Sequence, residues 1–193
     1  MTFPNWKKTY LQKLDKSQKG EIDELVLPLI KRINQEENYF TTSSCSGRVF
    51  LWTGTDKKNE VKRIRVSHDP INTDFFKDLE QEQELVWLRL EPFIMHVCCQ
   101  DIGSANNLLD QARQIFKKSS LLSISNKIIV EIKGSELLEI PLLKEGEYLI
   151  KEEKLEVLIS LVNERLEKIN KKINWFLVSF EQGKGPQDQK DHC

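Results

Sequence analysis

The sequence predicts an α+β fold: a mixed, largely antiparallel sheet covered by helices, non-Rossmann, with a long C-terminal helix. Three observations carry this expectation. Runs of strand-forming residues stand side by side at 48–68, 85–99 and 121–143, which implies antiparallel pairing. Apolar residues from Leu155 to Phe180 keep helical spacing for about seven turns. No GxGxxG or GxxxxGK[ST] cradle occurs, so neither a Rossmann dinucleotide site nor a P-loop is supported.

In chain order, Trp6 to Leu14 reads as a short helix, and Asp15 or Ser17 can cap the next helix. Ile22, Leu25, Val26, Leu29, Ile30 and Ile33 form the stripe of that second helix, with Pro28 inside it as an expected bend. The stretch Tyr39-Phe-Thr-Thr-Ser-Ser-Cys-Ser-Gly-Arg48 then gathers five hydroxyls, a thiol, a glycine and an arginine. It reads as a polar turn where backbone N–H groups, hydroxyls and a guanidinium converge on an anionic or polar ligand, or as one satisfying only its own backbone.

Arg48–Thr53 and Arg63–His68 read as strands around a basic run of Lys57, Lys58, Lys62, Arg63 and Arg65. Asp74–Glu82 is a helix or loop. Leu85–Glu91 and Phe93–Cys99 are strands separated by Pro92, and Ile102–Lys118 is a helix. Leu121–Ser125, Ile128–Lys133 and Leu137–Leu143 are short strands. With no internal repeat and no long linker, a single domain is expected over 1–181, followed by a flexible tail over 182–193.

The chain has 193 residues, 39% hydrophobic and 31% charged, and its 29 basic against 30 acidic side chains leave a net charge of −1. It is no polycation, so any nucleic-acid contact must come from a local basic patch. The four cysteines form no CxxC, and the three histidines stand at no zinc-finger spacing, so reduced thiols and no structural metal are expected. No signal peptide and no membrane-length apolar run are present, which makes the expected location cytoplasmic.

Among chemical candidates, Cys45 and Arg48 stand too close together for the cradle of a cysteine phosphatase. A thiol nucleophile at Cys45, activated by His68 or His96, and a half-buried structural role for both histidines stay open. Trp52 and Trp87 could stack on a base or pack in the core.

The stretch at 39–48 stands in a longer ordered set: Asp15-x-Ser17-x-Lys19-Gly20-x-x-Asp23, Ile33-Asn34, Ser67-His68, Glu91-Pro92-Phe-Ile-Met-His96-Val97, Ala105-x-x-Leu108-Leu109-x-x-Ala112 and Asn163. This set resembles the tRNA wybutosine-synthesising protein family of the third enzymatic step, over nearly the whole chain. One departure is visible: Ile115-Phe-Lys-Lys-Ser-Ser-Leu121 replaces two glycines of the family's turn.

The resemblance implies an S-adenosylmethionine-dependent methyltransferase acting on a ring nitrogen of the tricyclic wyosine-type base beside the anticodon of phenylalanine tRNA. It implies that Ser43, Ser44, Cys45, Ser46, Gly47, Trp87 and Pro92 bind cofactor or substrate. Arg48 would hold a carboxylate or phosphate, His68 or His96 would act as general base, and Lys57, Lys58, Lys62, Arg63 and Arg65 would contact the anticodon arm. The alternative from another class is a non-catalytic RNA-binding or scaffold protein of the same fold.

Overall fold

The computed structural model describes residues 2–12, 23–54 and 60–182. In chain order the elements are α1 (Phe3–Leu11), α2 (Leu27–Gln35), β1 (Tyr39–Cys45), β2 (Arg48–Thr53), β3 (Lys62–Ser67), β4 (Val86–Glu91), β5 (Ile94–Cys99), α3 (Ile102–Ile115), β6 (Ser120–Ser123), β7 (Ile128–Lys133), β8 (Leu138–Lys144), β9 (Glu147–Tyr148) and α4 (Leu155–Gln182). Contacts divide the chain into two compact units. One comprises Met1–Ser46, Phe93–Ser135 and Asn170–Cys193; the other comprises Gly47–Pro92 and Glu136–Ile169.

The first unit holds a four-stranded sheet in the order β1-β5-β7-β6. Helices α1 and α2 pack on β1, and α3 packs on β5, β6 and β7. Its core is aromatic: Phe93 lies 4.8 Å from Phe116 between ring centroids, Phe116 lies 5.8 Å from Phe176, and Phe176 lies 5.9 Å from Phe180. Asp101 caps α3, its Oδ1 accepting from the Ser104 backbone N–H at 2.7 Å. That bond holds the Asp101 carboxyl below the usual range, so the cap contributes above the unfolded-state pKa and is lost on acidification.

The second unit holds a five-stranded sheet in the order β3-β2-β4-β8-β9. Val49, Leu51, Leu88 and Leu90 are buried on one face of the central pair, and Leu158, Val162 and Leu166 of α4 are buried in the same unit. The Asn163 side chain acts as a short strand partner: it donates to the Ile71 carbonyl at 2.8 Å and accepts from the Ile71 N–H at 2.9 Å.

The α+β class holds, and so does the long final helix. Several details differ from the sequence reading. The pairings are antiparallel throughout the described strands and lie in two sheets rather than one mixed sheet. Strands β4 and β5, adjacent in sequence, do not pair, and neither do β1 and β2. The chain passes from one unit to the other at Ser46-Gly47 and at Pro92-Phe93, where a positive-φ glycine and a proline without an N–H interrupt the ladders.

The hydroxyl-rich stretch is no turn but strand β1, because Tyr, Phe and Thr favour extended backbone and its hydroxyls find partners on neighbouring segments. Pro28 does not bend a helix interior. It lies in the first turn of α2, where the missing N–H removes nothing. Finally, α3 ends at Ile115 because Phe116 leaves helical geometry, at φ −108 and ψ 77, to bury its ring. Among the described residues no helix is long and apolar enough to cross a membrane.

Candidate active site

The site residues expected from sequence fall into two groups, one in each unit. In the first unit, β1 and β5 shift register between Thr41 and Ser43, so that Thr42 is an extra residue opposite β5. Such a bulge re-aims the side chains beyond it. Asn34 anchors the strand just before it, its Oδ1 accepting from the Thr41 N–H at 2.8 Å. Beyond it Ser43 stands opposite His96, with Oγ 3.0 Å from Nδ1. His96 in turn stands opposite Glu131 of β7, with Nε2 3.1 Å from Oε2.

An ionised carboxylate only accepts, so Nε2 carries the proton given to Glu131. In neutral His96 the lone pair is then on Nδ1 and accepts from the Ser43 hydroxyl. Glu131, His96 and Ser43 thus form one hydrogen-bonded line across three adjacent strands. Ser44 and Cys45, at the end of β1, pair with Met95 and Ile94 and are half-buried. The buried Ser46 gives both its N–H and its hydroxyl to Asp23 Oδ2, at 2.9 and 3.0 Å. Burial pushes the Cys98 thiol up to about 11 and the Cys99 thiol up to about 12, which keeps both protonated and unreactive.

In the second unit, Gly47 has φ +99, and a Cβ there would lie 3.0 Å from the Glu91 carbonyl oxygen and 3.4 Å from Ile169. His68 Nδ1 lies 2.9 Å from the Gly47 carbonyl oxygen, an acceptor only, so neutral His68 has its proton on Nδ1 and its basic lone pair on Nε2. Replacing Gly47 with alanine is expected to cost about 1–3 kcal/mol through backbone strain alone. Urea unfolding measures it, and an unchanged midpoint would overturn the requirement for glycine.

Arg48 donates Nε–H and Nη2–H to one oxygen of Glu91, both at 2.8 Å. These bonds engage two of its five guanidinium N–H groups and leave Glu91 Oε1 outside the pair. Trp87 is half-exposed with its ring stacked on Trp52, and Pro92 is buried where the second unit ends. Of the basic run, Lys62 and Arg63 are exposed on β3, while Arg65 is tied to the Phe75 carbonyl at 2.9 Å. Lys57 and Lys58 lie outside the described residues, as do Asp15, Ser17, Lys19 and Gly20.

Residues 5–182 match the model of the family described as Methyltransferase TYW3. The chain belongs to that family. A TYW3-family relative from Xenopus laevis, named tRNA wybutosine-synthesizing protein 3 homolog, is 34% identical over 90% of this chain and 72% of its own. One from Pyrococcus abyssi, named tRNA(Phe) 7-((3-amino-3-carboxypropyl)-4-demethylwyosine(37)-N(4))-methyltransferase 1, is 32% identical over 85% of this chain and 88% of its own. Among solved structures, the PH1069 protein of Pyrococcus horikoshii superimposes with a TM-score of 0.86 at 31% identity, covering 93% of this chain and 96% of that one. A hypothetical protein from Aeropyrum pernix gives 0.74 at 27% identity, covering 83% and 98%.

Glu131 was not singled out from sequence, and an isolated glutamate in a half-buried strand offers no local signal. The fold finds it through the β5–β7 register. Positions 115 and 120, where the TYW3-type turn would have glycine, need none here: among described non-glycine residues only Asp78 and Glu145 have positive φ. Ile115 closes α3 and Ser120 opens β6 with ordinary backbone.

Proposed function

We propose that this chain is a cytoplasmic enzyme that transfers a methyl group from S-adenosylmethionine to a ring nitrogen of the wyosine-type base beside the anticodon of phenylalanine tRNA. The observation that carries the reading is the Glu131–His96–Ser43 line within a chain of a methyltransferase family. When bound, S-adenosylmethionine supplies an activated methyl group. With the cofactor bound, an acceptor nitrogen that carries a proton would have to shed it. Ser43 Oγ accepts that proton as its own passes to His96 Nδ1, and Glu131 stabilises the resulting imidazolium.

Arg48 and Glu91 match the amino-acid end of that cofactor. The guanidinium has N–H groups left for a carboxylate, and Glu91 Oε1 is an acceptor suited to an ammonium. Removing the guanidinium with Arg48→Ala is expected to weaken cofactor binding about tenfold or more, since hydrogen bonds to charged groups contribute about 1.5–3 kcal/mol. Calorimetry with S-adenosylmethionine checks it, and unchanged affinity would sink the assignment. His68, tied to the Gly47 carbonyl, is the second candidate base.

The function is tested by methyl transfer to tRNA carrying the unmethylated tricyclic precursor. Transfer by the intact chain is the expected result. Binding of tRNA with no cofactor binding and no transfer would favour a non-catalytic RNA-binding protein of the same fold.

A further inference from the structure

The central strand β2 is buried on both faces, but by different means. Val49 and Leu51 face the apolar core with no exposure, while Phe50 and Trp52 face the other way and are only 2% and 3% exposed. What covers them is arginine. Guanidinium carbons of Arg48, Arg63 and Arg89 lie 5.5, 5.8 and 5.8 Å from the Phe50 ring centroid, and that of Arg89 lies 4.9 Å from the Trp52 centroid.

Strand pairing sets this array. Phe50 stands opposite Arg89, Trp52 opposite Trp87 on one side and Arg63 on the other, and Arg89 opposite Glu139. The Trp52 and Trp87 rings stack at 6.1 Å with planes 17° apart. Glu139 holds Arg89 through Nε, at 2.6 Å, and Nη2. The Arg89 side chain keeps 28% exposure, Arg63 is exposed and Trp87 half-exposed. The face therefore presents flat cationic planes and an indole, backed by aromatic rings and fixed by ion pairs.

Planar groups of this kind take unstacked bases, while guanidinium edges take phosphates. Arg48 and Arg89 are paired with Glu91 and Glu139, and Arg63 adds a third guanidinium over the same Phe50 ring. The buried Trp52 Nε1–H has no acceptor among the described residues.

We propose that this outer face of the five-stranded sheet is a platform for single-stranded RNA, on which Arg63, Arg89 and Trp87 stack loop bases of the substrate tRNA. The proposal rests on the tRNA reading above and adds the surface that takes the loop. Its test is anisotropy of a fluorescein-labelled anticodon stem-loop and of the same stem closed into a blunt duplex, with unaltered chain, Arg63→Ala/Arg89→Ala and Arg63→Lys/Arg89→Lys.

The unaltered chain should prefer the loop, and both double variants should lose about tenfold per stacked base. Lysine keeps the charge but not the plane, so it should not rescue. If Arg89 variants fail to fold, Arg63→Ala, at an exposed position, and Trp87→Ala carry the same expectation. Loop affinity unchanged within twofold, rescue by lysine, or equal binding of duplex and loop would overturn the platform. Methyl transfer by the unaltered chain is scored separately. Its absence alongside the expected binding pattern defeats the enzymatic reading and leaves the platform, whereas transfer with unaffected variants does the reverse.

Discussion

Substituting His96 with alanine is expected to lower kcat for methyl transfer by about 10²–10⁴-fold, the usual contribution of a positioned general base. KM for S-adenosylmethionine should change little, because His96 spends both ring nitrogens on Ser43 and Glu131. Single-turnover transfer to precursor tRNA measures it. Glu131→Gln should fall between: the amide retains a carbonyl acceptor for Nε2–H but no charge to stabilise the imidazolium. Because the three residues act through one chain of hydrogen bonds, Ser43→Ala combined with His96→Ala should be scarcely slower than His96→Ala alone. Additive losses would mean that Ser43 and His96 act separately, and an unimpaired His96→Ala would remove the line from catalysis and move attention to His68.

The largest stability effect is expected from Phe116→Ala, about 3–5 kcal/mol. Phe116 is 1% exposed and contacts Phe93 and Phe176, so truncation leaves a cavity bounded by rings from two other segments of the first unit. Urea unfolding gives the value. Trp175→Ala, a larger truncation beside Phe176 in α4, should stay within about 0.5 kcal/mol because Trp175 is 59% exposed. If the two variants were equally destabilised, burial of the aromatic cluster would not be what holds that unit.

Legibility in the sequence followed the range of the signal. The strands over 128–133 and 48–53 and the helix over 155–182 were legible because periods of 2 and 3.6 are local properties of the chain. Arg48, His68 and His96 stood out by residue type, since few side chains offer a fork of donors or a neutral base. The stretch at 39–48 reads as a turn because hydroxyl composition outweighs β-branching, and the hydroxyls' partners on Asn34 and His96 are invisible in the sequence. Pro28 reads as a bend because the helix start depends on where the preceding chain turns, not on the apolar stripe alone.

By itself, then, the sequence determined where the chain is extended or helical, which side chains could carry charge or protons, and, through its ordered motifs, the family. Tertiary structure alone decided that strands adjacent in sequence join different sheets, that Glu131 backs His96, and that arginines roof the aromatic face of β2. The physical reason is that these depend on register between distant segments: a single extra residue at Thr42 turns Ser43 onto a histidine 53 positions away. A hydrogen bond of that separation is selected by burial of the whole sheet, and no local pattern encodes it.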